Sequence, residues 1–295
     1  MGQSQALRDL GFKLLNWVWT TGCGAWLNSE KGSLAGGYGL PAGFIENAQE
    51  VHAGFIHVVH DRRVLIQMRS QAVALLAGEP EPLWGRLEEQ GSRLWIQLLT
   101  MIALGAGVYG ATIGLWRSPW QALYAGIKFP AVVLLTCAGN AVLNGILAQL
   151  HATGLSFRQT TLAILMSFSV ASLVLLAMSP LAVFLLWNTP PLGSEGTTTG
   201  HSLTLLAHVG VIAFAGWCGT WRLYRLLKYV APTGNRALST LLAWLAGNLL
   251  LGSQVSWILR PFIGNPKLPV EFLRDDPFYG GFYEQVWKSL MQLFS

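Results

Sequence analysis

Residues 161–187 read TLAILMSFSVASLVLLAMSPLAVFLLW, twenty-seven positions without a charged side chain. A helix rises 1.5 Å per residue, so this stretch reaches about 40 Å and can cross a hydrocarbon core of about 30 Å. Four further runs share its character: Leu94–Trp116, Phe129–Leu150, Leu203–Trp221 and Leu238–Leu259. None of the five carries Asp, Glu, Lys or Arg. Between Glu89 and Glu271 the chain has one carboxylate, Glu195. A water-solvated domain does not dispense with acids over such a length. A chain threaded through lipid does, because every intramembrane charge is costly.

The composition agrees. Hydrophobic residues make up 52% of the 295 and charged residues 11%, against about 25% in an average water-soluble domain. Trp95 and Trp116 bracket the first run, and Trp187, Trp221 and Trp257 stand near the ends of the later ones, as an aromatic belt requires. Pro180 predicts a kink or an early end in the third run. The predicted fold is all-α: a polytopic integral membrane protein with a five-helix transmembrane bundle and amphipathic helices at both termini. The chain divides into a cytoplasmic helical part at 1–93, the bundle at 94–259 and a Pro-rich tail with a short interfacial helix at 260–295.

The joint from Asn188 to Gly200 has no Lys or Arg, whereas the one after the fourth run carries Arg222, Arg225, Lys228 and Arg236. Basic loops stay cytoplasmic, which predicts a cytoplasmic N-terminus, the setting of a bacterial inner membrane. Arg93 and Arg158 agree; Arg117, Lys128 and the tail cations Arg260, Lys267 and Arg274 dissent. The net charge of +5 forms no nucleic-acid stripe, so the expected partners are the lipid bilayer and other membrane proteins or copies of the chain, not nucleic acid.

In the N-terminal part Leu7, Leu10, Leu14, Trp17 and Val18 share one helical face, the pattern of a helix lying in the interface. After the Gly- and Pro-rich break at 35–43, Phe44, Val51, Val58, Leu65 and Ala72 recur every seven residues and predict a long helix over 45–76, ended by Glu79, Pro80, Glu81 and Pro82. The prolines at 261, 266, 269 and 277 keep the tail extended, and Phe282, Val286, Leu290 and Leu293 mark a short amphipathic helix. No secretory signal peptide is visible, and the start MGQSQA lacks the hydroxyl residue of a myristoylation site.

Candidate chemistry is sparse. His57 and His60 share a face with Asp61 beside them, but His52 does not converge as a third ligand, so no metal site is expected. Cys23, Cys137 and Cys218 are too scattered for a metal or disulfide framework. His208, inside the fourth run, is the one candidate for ligating a pigment or haem; a hydrogen bond to a neighbouring helix is its plainer role. Asn140 and Asn144 stand one turn apart on the second run, and Asn248 and Gln254 on the fifth. Such amides face a bundle interior, where they bond across helices or line a path. Gly110 and Gly114 on the first run and Gly145 on the second mark close helix contacts. Trp257 and Arg260 anchor the tail at the end of the last run. No P-loop, zinc-protease or nucleophile-elbow motif occurs, and no enzyme is expected.

Two stretches carry a resemblance: GAGVYGATIGLWRSPWQALYAGIKFP at 105–130, in which Lys128 and Pro130 open the second run, and GSQVSWILRPFIGNPKLPVEFLR at 252–274, followed by GGFYEQVW. Over roughly the last two hundred residues the chain resembles uncharacterised bacterial five-span membrane proteins, loosely similar to the Yip family. That resemblance implies a non-enzymatic membrane protein acting through partners, and it assigns no residue a role. The leading expectation is a subunit or scaffold organising a larger membrane complex; the alternatives are a channel or carrier for a neutral or anionic solute, and a pigment- or haem-associated subunit.

Overall fold

The computed structural model describes residues 70–76, 79–88, 92–150, 154–190, 197–231, 233–264 and 268–284. The chain divides into two units, Met1–Gln67 and Met68–Ser295, and all described residues belong to the second. The interfacial N-terminal helix, most of the seven-residue seam, His52, His57, His60 and Asp61, and the final amphipathic helix beyond Glu284 lie outside the described residues.

The described part is all-helical. A helical stretch at 70–76 precedes α1 (Pro80–Glu88), α2 (Ser92–Leu115), α3 (Pro119–Leu150), α4 (Phe157–Trp187), α5 (Thr197–Val230) and α6 (Gly234–Ile258). The last five are long and apolar enough to cross a membrane, as the five runs predict, and make this an integral membrane protein. α2 is the most enclosed, packed on α3 and α4; α5 lies against α4, and α6 against α3 and α5.

The surface of α3 shows the environment directly. Its buried residues include Gln121, Lys128, Thr136, Asn140 and Asn144, while Leu123, Ile127, Leu135, Val142, Leu143, Ile146 and Leu150 are exposed. An amphipathic helix in water does the reverse. Lipid solvates the outer leucines and isoleucines at no cost, and the polar groups turn inward.

Glycine sets the helix spacing. A Cβ on Gly110 would lie 2.6 Å from both the Ala125 carbonyl oxygen and Phe129 Cβ, and one on Gly114 would overlap the Gln121 backbone. Gly105 presses on the Ser172 backbone of α4 in the same way, and Gly145 of α3 on the Phe157 ring. Around these contacts Leu98, Ile102, Leu162, Ile164, Leu227 and Trp244 form the main apolar core. A smaller cluster of Tyr109, Ile113, Leu175, Ala182 and Ala215 fills the opposite end of the bundle.

The helices are longer than the apolar runs. α3 begins at Pro119, not at Phe129, so the stretch at 119–128 that reads as a joint is helix. Proline suits a first helical turn, where its missing N–H has no intrahelical partner to lose. Pro130, which reads as a span opening, therefore sits inside α3. Arg222, Arg225 and Lys228 are likewise the last turns of α5, and Arg236 the first turn of α6. The third run does not end early: α4 continues past Pro180 to Trp187. Pro80, which reads as a helix end, opens α1, whose Leu83 and Leu87 are buried against the bundle. Residues 70–88 thus fall in the same compact unit as the spans.

Caps explain two helix starts. The Ser156 hydroxyl accepts from Gln159 N–H while the Gln159 side chain accepts from Ser156 N–H, a reciprocal box at the start of α4. The Thr233 side chain accepts from Arg236 N–H at the start of α6.

Candidate functional site, a polar seam between two spans

α3 and α6 run antiparallel. Gly252 lies beside Thr136, and a Cβ on Gly247 would meet Asn140 Oδ1 at 3.1 Å and Asn144 Oδ1 at 3.6 Å. That register sets Asn248 opposite Asn140 and Trp244 opposite Asn144, with Thr240 one turn further on. Spacing of four residues on both helices puts Thr136, Asn140 and Asn144 on one face of α3 and Thr240, Trp244 and Asn248 on one face of α6. Asn140, Asn144, Thr240 and Trp244 are fully buried.

These groups have no hydrogen-bond partners among the described residues. Both amide atoms of Asn140 and of Asn144, the hydroxyls of Thr136 and Thr240, Trp244 Nε1 and Asn248 Oδ1 are all unpaired. They make up eight of the twelve buried unpaired side-chain atoms among the described residues, so the excess there is local to this interface. The Thr160 hydroxyl on α4, one turn on from the Phe157 ring that touches Gly145, is a further one. Cross-helix pairing, which the sequence predicts for these amides, does not occur at Asn140 or Asn144. Gly247 explains part of the geometry: its missing side chain leaves room for Asn140 and Asn144 beside the α6 backbone, whose own N–H and C=O groups are committed to the helix.

Gln254 does find a partner, but on the tail: its Oε1 accepts from Phe282 N–H at 3.0 Å. The tail folds back over the end of the bundle. Lys128 Nζ donates to the Pro261 carbonyl at 2.8 Å, and Gln121 Nε2 donates to the Pro261 and Phe262 carbonyls at 3.0 and 2.7 Å. Phe272 and Phe262 place their rings 5.0 and 5.8 Å from Lys128 Nζ. Lys128 is 1% exposed, which corrects the sequence reading that no charge lies within a span helix. Its neighbours Gln121 and Arg117 make it look like part of a joint; only the returning tail encloses it.

Trp257 and Arg260 lie side by side at this end. The Arg260 guanidinium stacks 3.9 Å over the Trp257 ring and donates to the Trp257 carbonyl at 2.7 Å and to that of Pro277 at 3.4 Å. Burial first, then the nearby charge of Arg274, lower its pKa from the usual arginine value. Arg274 itself pairs with Glu271 at 3.1 Å.

His208 is buried between α5 and α2, and its Nδ1 shares a hydrogen bond of 2.9 Å with the Tyr109 hydroxyl. The two rings meet edge to face at 5.7 Å. The sequence names His208 but not Tyr109, because nothing local ties two residues on separate spans. Gly110, Gly114 and Gly145 all sit at the close contacts described above.

The fold and the seam define a polytopic helical membrane protein with a polar interior. Comparisons with protein-family models, with curated proteins and with solved structures find no match.

Proposed function

We propose that this protein is a non-enzymatic integral membrane protein, a channel or carrier that admits a small polar solute into the seam between α3 and α6. The carrying observation is the eight unpaired polar atoms buried at that single interface. Each unpaired group costs about 1–3 kcal/mol by protein mutational measures. Together they reach on the order of 10 kcal/mol, comparable to the whole stability of an ordinary domain. A bundle that only displayed docking surfaces would gain nothing from such a cost. A polar occupant offsets it by supplying the missing hydrogen bonds. The depth fits too: Asn248 lies near the middle of the 25-residue α6. The test is uptake of polar solutes into proteoliposomes. Uptake above that of protein-free vesicles, abolished by Asn140→Leu and Asn144→Leu, supports this reading; no uptake of any solute refutes it.

The scaffold reading keeps one observation of its own. Phe214, Trp217, Trp221 and Tyr224 form a ladder along α5 with ring centroids 5.9–6.4 Å apart. The first three are largely exposed, and Trp217 and Trp221 border a cavity of about 200 Å³ with Val170, Val174 and Leu76. A partner helix seated there would be released by Trp217→Ala with Trp221→Ala, which copurification after mild detergent extraction measures.

We also propose that the chain resides in a bacterial inner membrane with a cytoplasmic N-terminus. The basic ends of α5 and α6, with Arg158 at the start of α4, support that orientation.

A further inference from the structure

We infer that the seam takes an uncharged solute, and that Lys128 is the residue that keeps cations out of it. This rests on the solute reading above and narrows it to a chemical class. The unpaired groups are balanced: three donors in Asn140 Nδ2, Asn144 Nδ2 and Trp244 Nε1, three acceptors in the carboxamide oxygens of Asn140, Asn144 and Asn248, and the hydroxyls of Thr136 and Thr240, which do either. A bare cation needs oxygens only and also meets three donor nitrogens. An anion needs donors only and meets three carbonyl oxygens. A neutral molecule with both donors and acceptors, such as urea, glycerol or water, can satisfy the whole set.

The second half of the inference comes from position. Moving along the α3–α6 interface away from Asn144, the buried polar side chains of α3 are Asn140, Thr136 and then Lys128, which sits under the Pro261 carbonyl where α6 gives way to the tail. Lys128 thus stands at one end of the same interface. Among the described residues no carboxylate pairs with it; its contacts are a carbonyl and two aromatic rings. It is the one charged side chain that α3 carries. Thr136 lies eight residues on, about 12 Å along the helix axis. At that separation and an effective dielectric of about 20, a unit charge disfavours a second cation by about tenfold. A neutral molecule experiences no such penalty.

The experiment is flux through proteoliposomes holding the full chain, with urea and glycerol as neutral probes and Na⁺, K⁺ and Cl⁻ as ions. The wild type is expected to pass urea or glycerol and to hold back all three ions. Lys128→Met is expected to raise Na⁺ and K⁺ flux about tenfold while urea flux stays within about twofold, and Lys128→Arg to retain the exclusion. Gln121→Met removes hydrogen bonds to the same tail carbonyls without changing charge, and is expected to leave the ions excluded. Ion flux in the wild type equal to urea flux would overturn this inference and leave the solute reading standing. An unchanged Na⁺ flux in Lys128→Met, or a Gln121→Met variant as leaky as Lys128→Met, would overturn it as well. A wild type that passes an ion but neither neutral probe would overturn this inference alone, and one that passes no solute at all would overturn both readings. Should Lys128→Met not assemble, the wild-type ratio of urea to Na⁺ flux decides alone: a ratio near one refutes the inference, a large one supports it.

Discussion

Replacing Asn144 by Leu separates an occupied seam from a dry one by the sign of a stability change. Leu branches at Cγ as Asn does, so the shape changes little while both polar atoms vanish. In a dry seam those two atoms are unpaired, and removing them relieves about 1–3 kcal/mol. In an occupied seam they hold the occupant, and their loss leaves it short of partners, a cost of about 1–3 kcal/mol. For a unit of this size each kcal/mol corresponds to a Tm shift of roughly 2–4 °C. The expected result is therefore a Tm lower by about 2–12 °C, measured by thermal unfolding of the purified protein in mild detergent. Val142→Leu serves as the control, because Val142 lies two residues away and is 57% exposed on the lipid face; its Tm should match the wild type within about 1 °C. A Tm for Asn144→Leu above the wild-type value would refute the reasoning, since only a dry seam improves when its amide is removed.

Gly110→Leu should lower detergent stability by more than about 3 kcal/mol, because even a Cβ at that position meets Ala125 and Phe129 at 2.6 Å; an unchanged melting curve would contradict the packing. Tyr109→Phe should cost about 0.5–1.5 kcal/mol through the lost hydrogen bond to His208, read by thermal unfolding against the wild type. Thr198→Cys and Thr233→Cys should label from opposite sides of the membrane; labelling of both from one side would break the five-span topology.

The five spans are readable from sequence because lipid imposes one local rule. Each crossing helix must be long and almost free of charge, and residues 161–187 show that with no reference to the rest of the chain. The inward placement of Asn140 and Asn144 is readable for the same reason. The helix limits are not. Arg117, Ser118, Pro119, Gln121 and Lys128 have the composition of a joint, yet the last three lie inside α3. Composition reports where lipid ends, and a helix can project beyond it. The prolines at 80 and 130 show the same gap, since proline alone does not say whether it opens, ends or merely interrupts a helix.

What the sequence by itself determined is the solvent and the secondary structure: helices in a bilayer, with acidic and basic side chains kept out of their apolar runs. Those properties are sums over neighbouring residues, so a linear reading captures them. What only the tertiary structure decided is which polar groups meet. Asn144 comes to lie opposite Trp244, a hundred residues later, because α3 and α6 pair in one antiparallel register. Lys128 is buried because Pro261 returns over it. Tyr109 reaches His208 because α2 and α5 come together at one end of the bundle. Hydrogen bonding is short-ranged and directional, so whether an amide is paired depends on atoms within about 3 Å, which in these spans belong to distant parts of the chain.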